Sequence, residues 1–178
     1  MKRLRLASEE DLPALVRIYN QAIAEGLRTG HTEPVDQDER AAWLAEHAPD
    51  THPVLVCELA GKVAGYVSLS PYRQGRTALR RTAEISIYVD ADHRRLGIAT
   101  SLLRGALMFS ALHDITTLIA IVIGANTASI GLLKRFGFAR WGRLPDVVEF
   151  EGETYDHLYF GRKVEAARAV QSAIKPQD

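Results

Sequence analysis

The 178 residues predict an α/β fold built on a mixed sheet flanked by helices. Three observations carry that reading. Residues 83–89 (Ala-Glu-Ile-Ser-Ile-Tyr-Val) alternate apolar and polar side chains, the period of a half-buried strand. Residues 97–112 place Ile98, Leu102, Ala106 and Phe109 at helical spacing. Residues 118–123 are wholly apolar, as a strand covered on both faces would be.

The remaining elements fall into place along the chain. Residues 2–6 alternate like a short strand, and Asp11 followed by Pro13 reads as the cap and first turn of a helix. Leu12, Leu15, Tyr19 and Ala22 then form one apolar face, and the helix ends near Gly26. Residues 28–34 are a polar loop. Asp36 with Glu39 makes a capping box for a second helix carrying Ala42, Trp43 and Leu44, which stops before Pro49. Val54 to Leu59 and Val63 to Leu69, separated by Ala60-Gly61-Lys62, predict a hairpin. A basic loop, Pro71 to Arg81, leads into the alternating strand. After the apolar strand come a short helix, Ala128 to Arg135, and two strands, Phe138 to Val148 and Thr154 to Val164. Residues 1–164 read as a single domain and 165–178 as a tail, helix-compatible at first and frayed beyond.

Composition narrows the function. Lys plus Arg and Asp plus Glu are both 22, so no net field draws the chain to nucleic acid or an anionic membrane, and any anion must be bound locally. No run of roughly 18 apolar residues and no signal-peptide core follows Met1, which predicts a cytoplasmic protein. Cys57 is the only cysteine, which excludes an internal disulfide and a Cys-based metal cluster, and its apolar neighbours mark it as buried filler. The histidines lack partners at ligand spacing, so no metal is expected.

The chemistry concentrates between Tyr88 and Thr100. A strand enters a turn of small and basic residues and a long helix leaves it, so free backbone N–H groups and the positive end of the helix dipole converge on one place. Such a turn is a pyrophosphate cradle: Gly97 and Ala99 keep the backbone open, and Arg94 and Arg95 add cations at its rim. The bland alternative is an ordinary strand-to-helix turn with solvated arginines, and for this short motif alone the two readings are about evenly matched.

The context separates them. Arg94-x-x-Gly97-x-Ala99 behind an alternating strand, followed by Asn126-x-x-Ser129 and Phe136-Gly137-Phe138, resembles the GNAT acetyltransferase superfamily over residues 3–164. Thr82-Ala83-Glu84-x-Ser86-x-Tyr88-Val89 and His93-Arg94-Arg95-x-Gly97 are similar to its phosphinothricin and methionine sulfoximine N-acetyltransferase group. The resemblance implies a mixed, mostly antiparallel sheet, acetyl-CoA as acyl donor, a small-molecule amine as acceptor and a homodimer, with the last strands and Trp141 as its interface. It implies that the strand at Ile87, Tyr88 and Val89 pairs with the pantetheine arm, which carries two amides and can be held like an added strand. The turn formed by Arg94, Arg95, Leu96, Gly97, Ile98, Ala99 and Thr100 would take the pyrophosphate, and Asn126 with Ser129 would contact the cofactor, Asn126 also serving as a helix cap.

Acetyl transfer to an amine requires a deprotonated nitrogen held near the thioester and a donor for the developing oxyanion. Glu84, on the polar face of the cradle strand and matching the family's glutamate, is the candidate base; the structural alternative is a solvated strand carboxylate or a partner for Arg80 or Arg81. A backbone N–H near Tyr88 or Val89 is the candidate oxyanion donor. Many relatives carry Tyr or His where this chain has Leu133, which cannot move a proton; Tyr155 and His157 are possible substitutes, although sheet packing accounts for them more simply. Arg76 matches an arginine of the herbicide-acetylating group and is expected, with Glu84, to contact a carboxylate-bearing acceptor. His31, Thr32 and Glu33 are expected to wall the acceptor pocket. Two rival functions remain at this level: acetylation of a protein N-terminus or lysine, and a catalytically silent acyl-CoA sensor.

Overall fold

A computed structural model describes residues 1–165 and contains seven strands and four α-helices. The strands are β1 (Lys2–Leu6), β2 (Val54–Leu59), β3 (Lys62–Pro71), β4 (Thr82–Val89), β5 (Thr117–Ile123), β6 (Ala139–Phe150) and β7 (Glu153–Lys163). The helices are α1 (Leu12–Ala24), α2 (Gln37–Ala45), α3 (Ile98–Leu112) and α4 (Thr127–Arg135). The single sheet runs β1-β2-β3-β4-β5-β7-β6, with every neighbouring pair antiparallel except β4 and β5. The expected tail lies almost wholly outside the described residues.

Strand alternation sorts the two faces. Ile85, Ile87 and Val89 pack into the larger cluster with Ile98, Leu102, Leu103 and Ala106 of α3 and with Leu132 and Leu133 of α4. Tyr66 and Tyr88 turn to the other side and join Leu15, Ile18, Tyr19 and Ile23 of α1. Glu84, Ser86 and Tyr88 therefore share the α1 side, as the alternation predicts.

Local chemistry differs from expectation at two helices. Asp11 stands at the N-cap position of α1, but its side chain makes no capping bond: its backbone is already helical (φ −84, ψ −12), and its carboxylate accepts from the Ser8 N–H at 2.8 Å and from both Arg5 Nη atoms at 2.7 Å. Burial drives this exchange, since Asp11 is 4% exposed and a desolvated carboxylate needs charged donors more than a helix end needs a cap. Pro13 does occupy the first turn. In α2 the capping box forms as read, Glu39 N–H to Asp36 at 2.9 Å and Asp36 N–H to Glu39 at 3.0 Å. Its buried residue, however, is Arg40, while Ala42 faces solvent.

The one parallel pair creates the opening that matters. β4 and β5 are registered only at Thr82↔Thr117, Ala83↔Leu118 and Glu84↔Ile119. Beyond Glu84 the two strands part, so the edge of β4 turned toward β5 meets no partner strand among the described residues. β5 is correspondingly not covered on both faces throughout, because Ile121 and Ile123 border a cavity.

Candidate active site

Two cavities meet at β4. The smaller, about 70 Å³, occupies the gap between the parted strands and is bordered by Ile85, Ile87, Ala120, Val122, Asn126, Ser129 and Leu133. The larger, about 480 Å³, lies on the α1 and α2 side and is bordered by Ser68 and Ser70 of β3, Glu84 of β4, Tyr19, Arg40 and Trp43 of the helices, and His157 of β7. Arg28, Ser86, Tyr88 and Ile121 border both. The larger volume falls within the range of small-molecule sites, roughly 300–1,000 Å³.

The turn between β4 and α3 is held from below. Asp90, 1% exposed, accepts from Arg17 at 2.5 Å, from Gln21 at 3.4 Å and from the Asp92 N–H at 3.2 Å. Burial alone would raise its carboxyl, but Arg17 and these donors hold it below the ordinary carboxylate range. Above this anchor Arg95 (φ 61) and Gly97 (φ 74) are both left-handed, a conformation costly for Arg95 and free for glycine. Gly97 heads α3 without a side-chain cap, leaving the N–H groups of the helix's first turn unpaired at the end of a fifteen-residue helix. Leu96 is exposed, Ala99 and Thr100 are half-buried, and the Ile98 side chain points into the core, so Ile98 offers the turn only its backbone.

Two cations differ from the sequence expectation. Arg94 is not free at the rim but is paired with Glu25. The Lys2 ammonium, which in the sequence is marked only as part of a strand, stands 2.8 Å from the point a Cβ on Gly97 would occupy. Its proximity follows from β1 pairing beside the β2–β3 hairpin, a long-range contact that no local motif signals.

Asn126, 6% exposed, accepts from the Ser129 N–H at 3.2 Å and from Arg28 Nη1 at 2.9 Å. It caps α4 and at the same time ties the α1–α2 loop to the mouth of the gap. Leu133 is buried at the gap wall.

Glu84 stands opposite Ser70 in the β3–β4 register, which puts the two side chains side by side in the larger cavity. Burial pushes the Glu84 carboxyl above the ordinary carboxylate range, and the Arg73 guanidinium pulls it partly back. Neither basic neighbour neutralises it: Arg81 pairs with Asp114, and Arg80 donates to the Thr77 carbonyl. Ser70 is in turn within 3.1 Å of His47 Nε2, whose Nδ1 lies 2.7 Å from the Trp43 carbonyl, so Nδ1 carries the proton and Nε2 accepts from the Ser70 hydroxyl.

Arg76 is not brought to this site. It is exposed in the loop after β3, where its N–H donates to the Arg73 carbonyl, and it borders neither cavity. The loop after α1 contributes Arg28, Thr29, Gly30 and His31, whereas Thr32 and Glu33 do not border the cavity. His157 borders the cavity and Tyr155 does not; burial lowers the His157 pKa. Among the described residues no group of three or more His, Cys, Asp or Glu is arranged to hold a metal, and no helix is long and apolar enough to cross a membrane.

Known proteins share this architecture. The sequence profile of the acetyltransferase (GNAT) family matches residues 15–138. A Bacillus subtilis protein provisionally named phosphinothricin acetyltransferase is 39% identical, across 90% of this chain and 98% of its own. The L-methionine sulfoximine/L-methionine sulfone acetyltransferase of Pseudomonas aeruginosa is 32% identical, across 93% and 96%. The crystal structure of a phosphinothricin acetyltransferase from Sinorhizobium meliloti in complex with acetyl-CoA superposes with a TM-score of 0.87 at 27% identity, covering 99% of this chain and 94% of that one. The chain belongs to the GNAT acetyltransferase family.

Proposed function

We propose that the protein transfers the acetyl group of acetyl-CoA to the primary amine of a small amino acid or amino-acid analogue, methionine sulfoximine and phosphinothricin being the model acceptors. One observation carries the reading: a gap between parted strands, suited to a narrow amide-bearing arm, shares Ser86 and Tyr88 as a common wall with a separate cavity that holds Glu84. Donor and acceptor thus have distinct approaches that converge on β4.

In this reading the free backbone edge at Ile87, Tyr88 and Val89 pairs with the pantetheine amides, and the first turn of α3 with Arg95 and Lys2 binds the pyrophosphate. Asn126 and Ser129 line the same path. Glu84, its proton affinity raised by burial, removes a proton from the acceptor ammonium, directly or through water. The amine nitrogen then attacks the thioester carbon, an N–H of the Tyr88 to Val89 backbone meets the oxyanion of the tetrahedral species, and as that species collapses the C–S bond breaks and the nitrogen sheds its second proton to water. Leu133 supplies no proton, so the proton released by the nitrogen reaches the CoA thiolate through water.

The chain works as a homodimer in the cytoplasm. Trp141, Leu144 and Val147 are exposed apolar side chains on the edge strand β6, a surface that calls for a partner. The cytoplasm follows from the donor, a polyanion that does not cross a bilayer unaided.

CoA release from acetyl-CoA, measured across amino acids, methionine sulfoximine, phosphinothricin, polyamines and short peptides, tests the function. Turnover on small amino acids supports it. Turnover on peptides alone replaces it with protein acetylation, and CoA binding with no turnover on any amine replaces it with a sensor.

A further inference from the structure

Arg40 is a buried cation without an anion. It is 5% exposed, and its guanidinium carbon lies 3.9 Å from the Tyr19 ring centroid and 4.4 Å from that of Trp43. Among the described residues it makes no ion pair, and its Nε, shielded from solvent, has no hydrogen-bond partner. Two rings holding a guanidinium offset only part of its desolvation, and an unpaired buried charge costs more than they return. Structures keep such a group when something else completes it.

Neither carboxylate that borders the same cavity as Arg40 forms an ion pair with it. Glu39, which borders the same cavity, is committed to the Asp36 N–H, and the cation acting on Glu84 is Arg73. Arg40 itself borders the larger cavity beside Ser68 and Ser70, whose hydroxyls stand on the same face of β3. A planar fork of donors fixed by two aromatic rings fits a two-oxygen anion.

We propose that Arg40 binds the anionic two-oxygen group of the amino-acid acceptor, so that the substrate is held by its acid while its amine faces Glu84. The α-carboxylate and a side-chain phosphinate share this chemistry. The proposal rests on the acetyl-transfer reading for the amine, but the anion site stands on Arg40 alone and can be read without turnover.

The test compares L-methionine sulfone, whose only anion is its α-carboxylate, with its carboxamide, and phosphinothricin with its carboxamide, which keeps the phosphinate. Each is assayed for turnover and is titrated calorimetrically into the CoA-bound protein. Arg40→Met is expected to lower kcat/KM for methionine sulfone about 100-fold, through KM, and to leave the carboxamide unchanged. Arg40→Lys, which retains the charge and loses the fork, is expected to fall between. Unaltered acetyl-CoA affinity in both variants shows that the fold survives. If phosphinothricin carboxamide retains the Arg40 dependence, the phosphinate is the group bound; if it loses it, the α-carboxylate is. A loss equal on acid and carboxamide, or a wild type that prefers neither, overturns the Arg40 site and leaves acetyl transfer intact. Acid binding that depends on Arg40 without turnover on any amine overturns transfer and leaves the site. Neither binding nor turnover overturns both.

Discussion

The carbonyl oxygen of Tyr88 lies 2.8 Å from the point where a Cβ on Gly65 would stand. On the same side of Gly65, Ile98 and Leu102 of α3 come within 3.0 and 3.2 Å of that point. Gly65 is therefore what allows the first turn of α3 to press against β3 and β4 and to set the height of the turn above the sheet.

Gly65→Ala should destabilise the protein by about 1–3 kcal/mol, because the oxygen it meets is backbone and cannot rotate away. At this chain length that is a fall in Tm of about 2–4 °C per kcal/mol. The displacement falls on the β4–α3 turn, so KM for acetyl-CoA should rise more than KM for the amine. Thermal unfolding together with the two KM values checks this, and an unchanged acetyl-CoA KM at lowered Tm would separate Gly65 from donor binding.

Glu84→Gln should lower kcat by about 10²–10⁴ with little change in KM for acetyl-CoA, the range expected for loss of a general base. Because burial raises the Glu84 pKa, the wild-type kcat/KM profile should show an acid inflection above the ordinary value of 4.5, and the variant should lack it. Stability should move the opposite way. An acid whose folded pKa is raised opposes folding once pH exceeds its unfolded value, so Glu84→Gln should be more stable than wild type near pH 7, and the gain should vanish in acid.

Asp11→Asn should cost about 2–3 kcal/mol at neutral pH, since it leaves Arg5 with Glu58 as its only carboxylate partner and removes two 2.7 Å charged hydrogen bonds. Burial alone would raise the Asp11 carboxyl, yet the bonds from Arg5 and Ser8 hold it below 3.8. Its contribution is thus present above pH 3.8 and is lost as pH falls through the lower folded value. Denaturant titrations of both proteins at pH 7 and pH 3 should show the difference shrinking in acid.

Trp141→Glu combined with Val147→Glu should convert a dimer to a monomer, as read by size-exclusion chromatography with light scattering. Both side chains are more than half exposed on β6, so the monomer should remain folded. A dimer that survives both changes places the contact elsewhere.

Periodicity carries one kind of information and close approach another. The alternation of residues 83–89 determined which side chains share Glu84's face, and the Arg94 to Thr100 string located the helix start, because both depend on neighbours a few residues apart. Asn126 was legible as a cap for the same reason. The Asp36–Glu39 capping box announced α2, and Arg40 and Trp43, three residues apart on that helix, are close enough for a guanidinium to stack on the ring. Charge and hydropathy offered no reason to choose Arg40 over Arg76 for a pocket. Only the packing of α1 and α2 over β3 and β4 buries the first, and only the course of the loop after β3 leaves the second in solvent. The parting of β4 from β5, the Lys2 ammonium beside Gly97 and the contact between Gly65 and Tyr88 all join segments more than twenty residues apart. Such contacts are decided by how layers pack, which a local pattern limits but does not determine.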